Sequence, residues 1–181
     1  MKTIQLNSEV MVSDPCYSVP TWCQHKLTNV LPGEYVTNVF KSDEGAWGTR
    51  VGILVAVHKD YVEDDLSWRA VSGSTIGVDS GQCGIFSMET YRKDDVFMEK
   101  SNFSFGDVSE GDHWYGHMCD RTLCEDQWGT YSHGAVSSSG YGDGSYRLCV
   151  AKHKGKIVGI GIDYLGYKNG VFNLVAQNEL V

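Results

Sequence analysis

The sequence predicts a mainly β fold, a β-rich α+β arrangement in which residues 1–181 form a single domain of antiparallel sheets. The sheets are expected to make a sandwich or an open barrel with one or two short helices. Three observations carry this. Twenty-one glycines against three prolines, with ten tyrosines and five tryptophans, suit short strands and tight turns better than a helix bundle. Hydrophobic residues make up 41% and charged residues 21%, enough apolar surface to offset the entropy of ordering a chain this long. Apolar runs of strand length recur between glycine, aspartate and asparagine turns, with no internal repeat and no linker of different composition to divide them.

The elements follow in chain order. Residues 9–13 read as a short strand that Pro15 ends, because proline has no N–H for a ladder. In "TWCQHKLTNV" Trp22, Cys23, Leu27 and Val30 recur at helical spacing behind Thr21, a capping residue, and Pro32-Gly33 closes the stretch, so a short helix is expected. "EYVTNVF" and "RVGILVAVH" are two strands joined by the turn-rich "KSDEGAWG". In the second, Val51, Ile53, Val55 and Val57 alternate with Leu54 and Ala56, so both faces are apolar and the strand belongs inside a sheet. "LSWRAV" and "STIGVDSGQCGIF" continue the pattern, punctuated by Gly73 and Ser74.

Alternation fades across 92–128, a variable insert in which "SEGDHWYGHMCDRTLCEDQW" holds either a short amphipathic helix or an ordered loop. The last third reads as three antiparallel strands with turns at Lys154-Gly155 and Asn169-Gly170, the latter a strong hairpin dipeptide. Within it Gly159 and Gly161 leave one strand face bare, room into which an aromatic ring would pack.

Composition also limits function. The longest apolar run, Val51–Val57, is seven residues, against the roughly 20 a membrane helix needs. The amino terminus has no apolar stretch of signal-peptide length, which predicts a cytoplasmic chain whose six cysteines are reduced. A net charge of −8 repels phosphate backbones, and the basic residues are scattered apart from "KHKGK" at 152–156, so direct nucleic-acid binding is not expected. No motif calls for a cofactor.

Four groups of residues could carry chemistry. His113, His117, Cys119 and Cys124 fall within twelve residues, and helical geometry would put the two imidazoles one turn apart. Their spacing matches no common zinc module, which leaves them weak metal candidates. Cys83 lies between glycines in "DSGQCGIF", yet no motif ties a histidine to it as a nucleophile needs, so a buried thiol is the expectation. Asp14, Asp79, Asp143 and Asp163 each stand where a strand ends; gathered at one rim they could hold a divalent cation, and otherwise they bond their own turns. In "SSSGYGDGSY" Gly140, Gly142 and Gly144 permit positive φ, so backbone N–H groups around Asp143 could form an anion-receiving nest flanked by Tyr141 and Tyr146.

The order of "VSDPCY", "TWCQHKLTNVLPGEY", "WGTRVGILVAVH", "IGVDSGQCGIF" and "SGYGDGSYRLCVAKHKGKIVGIGIDY" resembles the DUF4241-like family, and within it the short members found in bacteria and tailed phages. The resemblance covers about residues 10–165 outside the insert. It implies a compact β-rich domain without an assigned activity, and it marks Asp14, Pro15, Gly33, Arg50, Asp79, Gly81, Gly142, Asp143, Gly144 and Tyr146 as a shared set.

The expectation that results is a non-enzymatic cytosolic binding protein, encoded by a phage, that occupies a host protein or a small ligand. Its ligand-binding candidates are Asp14, Arg50, Asp79, Tyr141, Asp143 and Tyr146. One rival is a small metal-assisted hydrolase using Asp14, Asp79 and Asp143, with Arg50 stabilising developing charge. Another is a structural or assembly component of a virion.

Overall fold

The computed structural model describes residues 1–103 and 109–180; the part of the 92–128 insert at 104–108 lies outside the described residues. Among the described residues eleven strands form two antiparallel sheets. The first takes β1 (Lys2–Leu6), β4 (Gly33–Asp43), β5 (Thr49–His58), β6 (Trp68–Val78), β10 (Gly144–His153) and β11 (Lys156–Asp163), in the order β1-β4-β5-β11-β10-β6. The second takes β2 (Val10–Ser13), β3 (His25–Leu27), β7 (Gln82–Ser87), β8 (Trp128–Tyr131) and β9 (Gly134–Ser138), in the order β3-β2-β7-β9-β8. Neither sheet closes into a barrel. β5 lies third of six and is buried from Val51 to His58, as its two apolar faces require.

The chain builds three layers of apolar contact. Between the sheets Ile4, Leu6, Val12, Leu54, Ile76, Ile85, Leu148 and Ile160 form the main core. On the outer face of the first sheet, Ile53, Val55, Val57 and Trp68 are covered by Phe172, Val175 and Ala176 of α2 (Val171–Ala176). On the outer face of the second, Met11, Phe86 and Val136 are covered by Trp114 and Met118 of α1 (Asp112–Thr122). The first turn of α1 takes its acceptor from outside the helix: the Asp94 carboxylate accepts from the Gly111 and Trp114 amides, each at 2.8 Å, next to the positive end of the helix dipole.

Three expectations are corrected. Residues 21–30 are not helical: the chain turns at Thr21–Cys23 and then runs as β3 beside β2, with Val12 opposite His25 and Val10 opposite Leu27. The third strand of the carboxy-terminal group is α2. Asn169 does not turn a hairpin there, because its side chain accepts from Arg147 Nη1 at 3.0 Å and donates to the Trp68 carbonyl at 3.0 Å, fixing the approach to the helix. Gly73 and Ser74 do not separate two strands: they lie inside β6, where pairing with β10 shifts register between Arg147 and Cys149 and the chain bulges. β1 was not foreseen, although Ile4 and Leu6 alternate inward in it.

The bare face of β11 takes rings. A Cβ on Gly159 would lie 2.7 Å from the Trp68 indole, and one on Gly161 would lie 2.5 Å from the Phe172 ring.

Candidate functional site

Strand polarity gathers six connections at one end of the sandwich. β2, β4, β6, β9 and β11 finish there, and β5, β7, β8 and β10 begin there. The turn at 79–81 carries the chain from the first sheet to the second, and Asp14 holds that crossing. Its carboxylate is wholly buried and meets four donors: Oδ1 accepts from the Cys16 amide at 2.8 Å and Ser80 Oγ at 2.6 Å, while Oδ2 accepts from the Asp79 amide at 2.8 Å and the Ser80 amide at 2.7 Å. Its carbonyl accepts from the Tyr91 hydroxyl at 3.1 Å.

Asp79 and Asp143 stand at the same crossing. Asp79 is exposed and its Oδ2 accepts from the Tyr17 hydroxyl at 2.6 Å, whereas Asp143 Oδ1 accepts from the Gly81 amide at 3.1 Å. Three of the four turn aspartates are thus joined by one stretch of backbone, 79–81. Asp163 shares the end of the sandwich but serves its own loop, accepting from the Leu165, Gly166 and Tyr167 amides and pairing with Arg147. A carboxylate whose lone pairs are filled by backbone N–H groups stabilises a turn; to bind an ion it would have to release them.

The glycine loop at 139–143 docks across this end. Gly140 (φ +53°) donates to the Val51 carbonyl at 3.1 Å, and Gly142 (φ +110°) donates to the Ser139 carbonyl at 2.8 Å. Two amides of the expected anion nest are therefore already spent inside the protein. Tyr146 is structural as well: its hydroxyl donates to the Gly142 carbonyl at 2.6 Å and lies 2.9 Å from the Ser139 carbonyl, and its ring meets Tyr164 edge-on.

Tyr141 differs from its neighbours. It is 55% exposed, its hydroxyl donates to Glu44 Oε2 at 2.5 Å, and its ring stands edge-to-face with Trp47, itself 68% exposed, at 6.1 Å between centroids. Bonds from Ser42 and then Tyr141 hold the Glu44 carboxyl below its usual range, and the bond to Glu44 raises the Tyr141 phenol. The positive charge of Arg50 acts on the same phenol in the opposite sense. Arg50 Nε is buried without a hydrogen-bond partner among the described residues. Trp22 is 91% exposed in the 14–24 connection at this end.

The thiols and imidazoles do not assemble a reactive centre. Cys83 is fully buried in β7, and burial, followed by the charge of Asp14, pushes its thiol far up. The same causes raise Cys16. Nucleophilic cysteines need the opposite shift. His113 and His117 lie edge-on 4.9 Å apart, but their Nε2 atoms face the carbonyls of Phe97 at 3.3 Å and Glu99 at 2.8 Å. Cys119 Sγ accepts from Gln82 Nε2 at 3.4 Å, while Cys124 is exposed and donates to the Arg121 carbonyl. Among the described residues no three side chains of His, Cys, Asp or Glu are grouped to hold a metal ion, so these four are not brought together as ligands.

No family model, curated protein or solved structure matches this chain. Among the described residues no helix is long and apolar enough to cross a membrane. Sequence reasoning missed Ser80, Tyr17 and Tyr91, which complete the polar cluster around Asp14, and Trp47 and Glu44, which complete the exposed pair with Tyr141. A tryptophan in the tip of "DEGAWG", where nothing in a two-strand hairpin would bury it, was the available signal.

Proposed function

We propose that this chain is a non-enzymatic, cytosolic binding protein that occupies a partner protein through the loop end of its sandwich. The observation that carries the reading is the exposed Trp47–Tyr141 pair, held by Glu44 on a loop end whose backbone is tied together by Asp14 and Asp143. Aromatic side chains with few rotamers to lose, presented by connections on a rigid sandwich, are the common currency of protein recognition. Exposed Asp43, Asp79, Glu125, Asp126 and Asp143 stand on or beside connections at the same end of the sandwich, which favours a partner with a basic face and speeds encounter with it. The reading is preferred to a metal-assisted hydrolase because the Asp14 carboxylate is committed to four donors.

The test is affinity capture from a bacterial lysate with the wild-type chain and with Trp47→Ala/Tyr141→Ala, both checked for the same melting temperature. The expected result is one stoichiometric partner, held by the wild type, released by salt and lost from the double variant. Absence of a stoichiometric partner, or equal retention by the variant, would overturn the proposal. Self-association of the chain at micromolar concentration would instead favour the virion-component reading.

A further inference from the structure

At the other end of the sandwich, where β6 begins and β10 finishes, a cleft of about 530 Å³ opens beside the edge strand. Its lining includes Ser67, Arg69, Val71, Val150 and Lys152. Arg69 lies directly across the ladder from Val150, and Lys152 follows two residues later on β10, so the two cations stand on neighbouring strands over an apolar floor. Like charges on adjacent strands repel, and a bound anion relieves that repulsion. Among the described residues neither Arg69 nor Lys152 makes an ion pair or a side-chain hydrogen bond, and both are exposed. Lys154 and Lys156 are exposed on the adjoining hairpin, and Asp64 and Asp65 on the approach to β6.

We infer that this cleft binds a small amphiphilic oxyanion, a phosphate or carboxylate head between Arg69 and Lys152 with an apolar tail on Val71 and Val150. The volume lies within the range of small-molecule sites, and the Ser67 hydroxyl offers a further contact to the head. A guanidinium and an ammonium together match such a head by geometry and by charge. This site is separate from the loop end, so its test does not depend on the function proposed above.

The experiment is a titration of the isotope-labelled full chain, followed by amide chemical shifts, with hexyl phosphate, hexanoate, hexanol and inorganic phosphate as probes. Hexyl phosphate or hexanoate is expected to shift residues 67–72 and 150–152 saturably, with a dissociation constant of about 0.1–1 mM at low salt, weakening several-fold at high salt. The stronger of the two identifies the head. Inorganic phosphate is expected to bind at least about tenfold more weakly, because a single buried hydrocarbon stretch is worth more than that factor. Arg69→Gln/Lys152→Gln, two exposed positions whose replacement leaves the fold intact, is expected to weaken both charged probes at least about tenfold. The inference fails if hexanol shifts the same amides as strongly, if the double variant binds unchanged, or if neither charged amphiphile gives a saturable shift there.

Discussion

Replacing Asp14 with alanine removes one acceptor group from four donors at once, three of them backbone amides that have no other partner in the turn. Unpaired buried N–H groups cost more than the bonds they lose, so Asp14→Ala is expected to destabilise the fold by about 3 kcal/mol in urea unfolding. Asp143→Ala removes a single bond from an exposed side chain and is expected to cost no more than about 1 kcal/mol. Equal losses for the two would show that Asp14 is not the residue holding the crossing between sheets. Gly161→Ala is the packing counterpart: its methyl group would meet the Phe172 ring at 2.5 Å, and displacement of that ring is expected to cost about 1–3 kcal/mol.

Elements respond to pH where a titrating carboxylate helps to fasten them. The amino-terminal turn of α1 is tied to the 14–17 connection by Arg92, which donates to the Pro15 carbonyl at 2.8 Å and to Asp112 Oδ1 at 3.1 Å. Burial by itself would raise the Asp112 carboxyl, but bonds from the Ser109 hydroxyl and amide, and then Arg92, more than offset it and hold it below the usual 3.8. A depressed carboxyl stabilises the folded state above its unfolded value, and that contribution disappears as pH falls through the lower folded value. The protection factors of the α1 amides, taken against the intrinsic exchange rate at each pH, should therefore fall on acidification below about pH 4, and Asp112→Asn should remove the step. The same scale shows what was legible in the sequence. β5 and the β10–β11 hairpin were, because seven apolar residues in a row and a Lys-Gly turn state their structure locally. The fate of 21–30 was not. Helical spacing of Trp22, Cys23, Leu27 and Val30 competes with an edge that only the folded sheets supply: Trp22 ends in solvent, and the Cys23 carbonyl accepts from the Gly77 amide. Asn169-Gly170 misleads for a similar reason, its turn chemistry being redirected by Arg147 and by the Trp68 carbonyl, 101 positions away in the chain. For the site, the gathering of Asp14, Asp79 and Asp143 followed from strand ends, while the filling of their lone pairs depended on amides no pattern announces.

Across the whole molecule buried cysteines lie in two of the apolar layers and in α1, which turns thiol chemistry into a measure of global stability. Cys83 belongs to the core between the sheets, Cys149 to the layer under α2, and Cys119 lies in α1, while Cys23 is buried beside β6. Only Cys124 is exposed, with Cys16 half-buried and its thiol raised by burial and by Asp14. A thiol must reach solvent and ionise before it reacts. A disulfide reagent at pH 8 should accordingly modify Cys124 at once and Cys16 slowly, and Cys124→Ser should remove the fast phase. The four buried thiols should follow together, at a rate that tracks the population of the unfolded chain and rises with urea along the unfolding curve. Were Cys119 to react ahead of Cys83 and Cys149 in native buffer, α1 would open independently of the sandwich, and the three layers would not unfold as one cooperative unit.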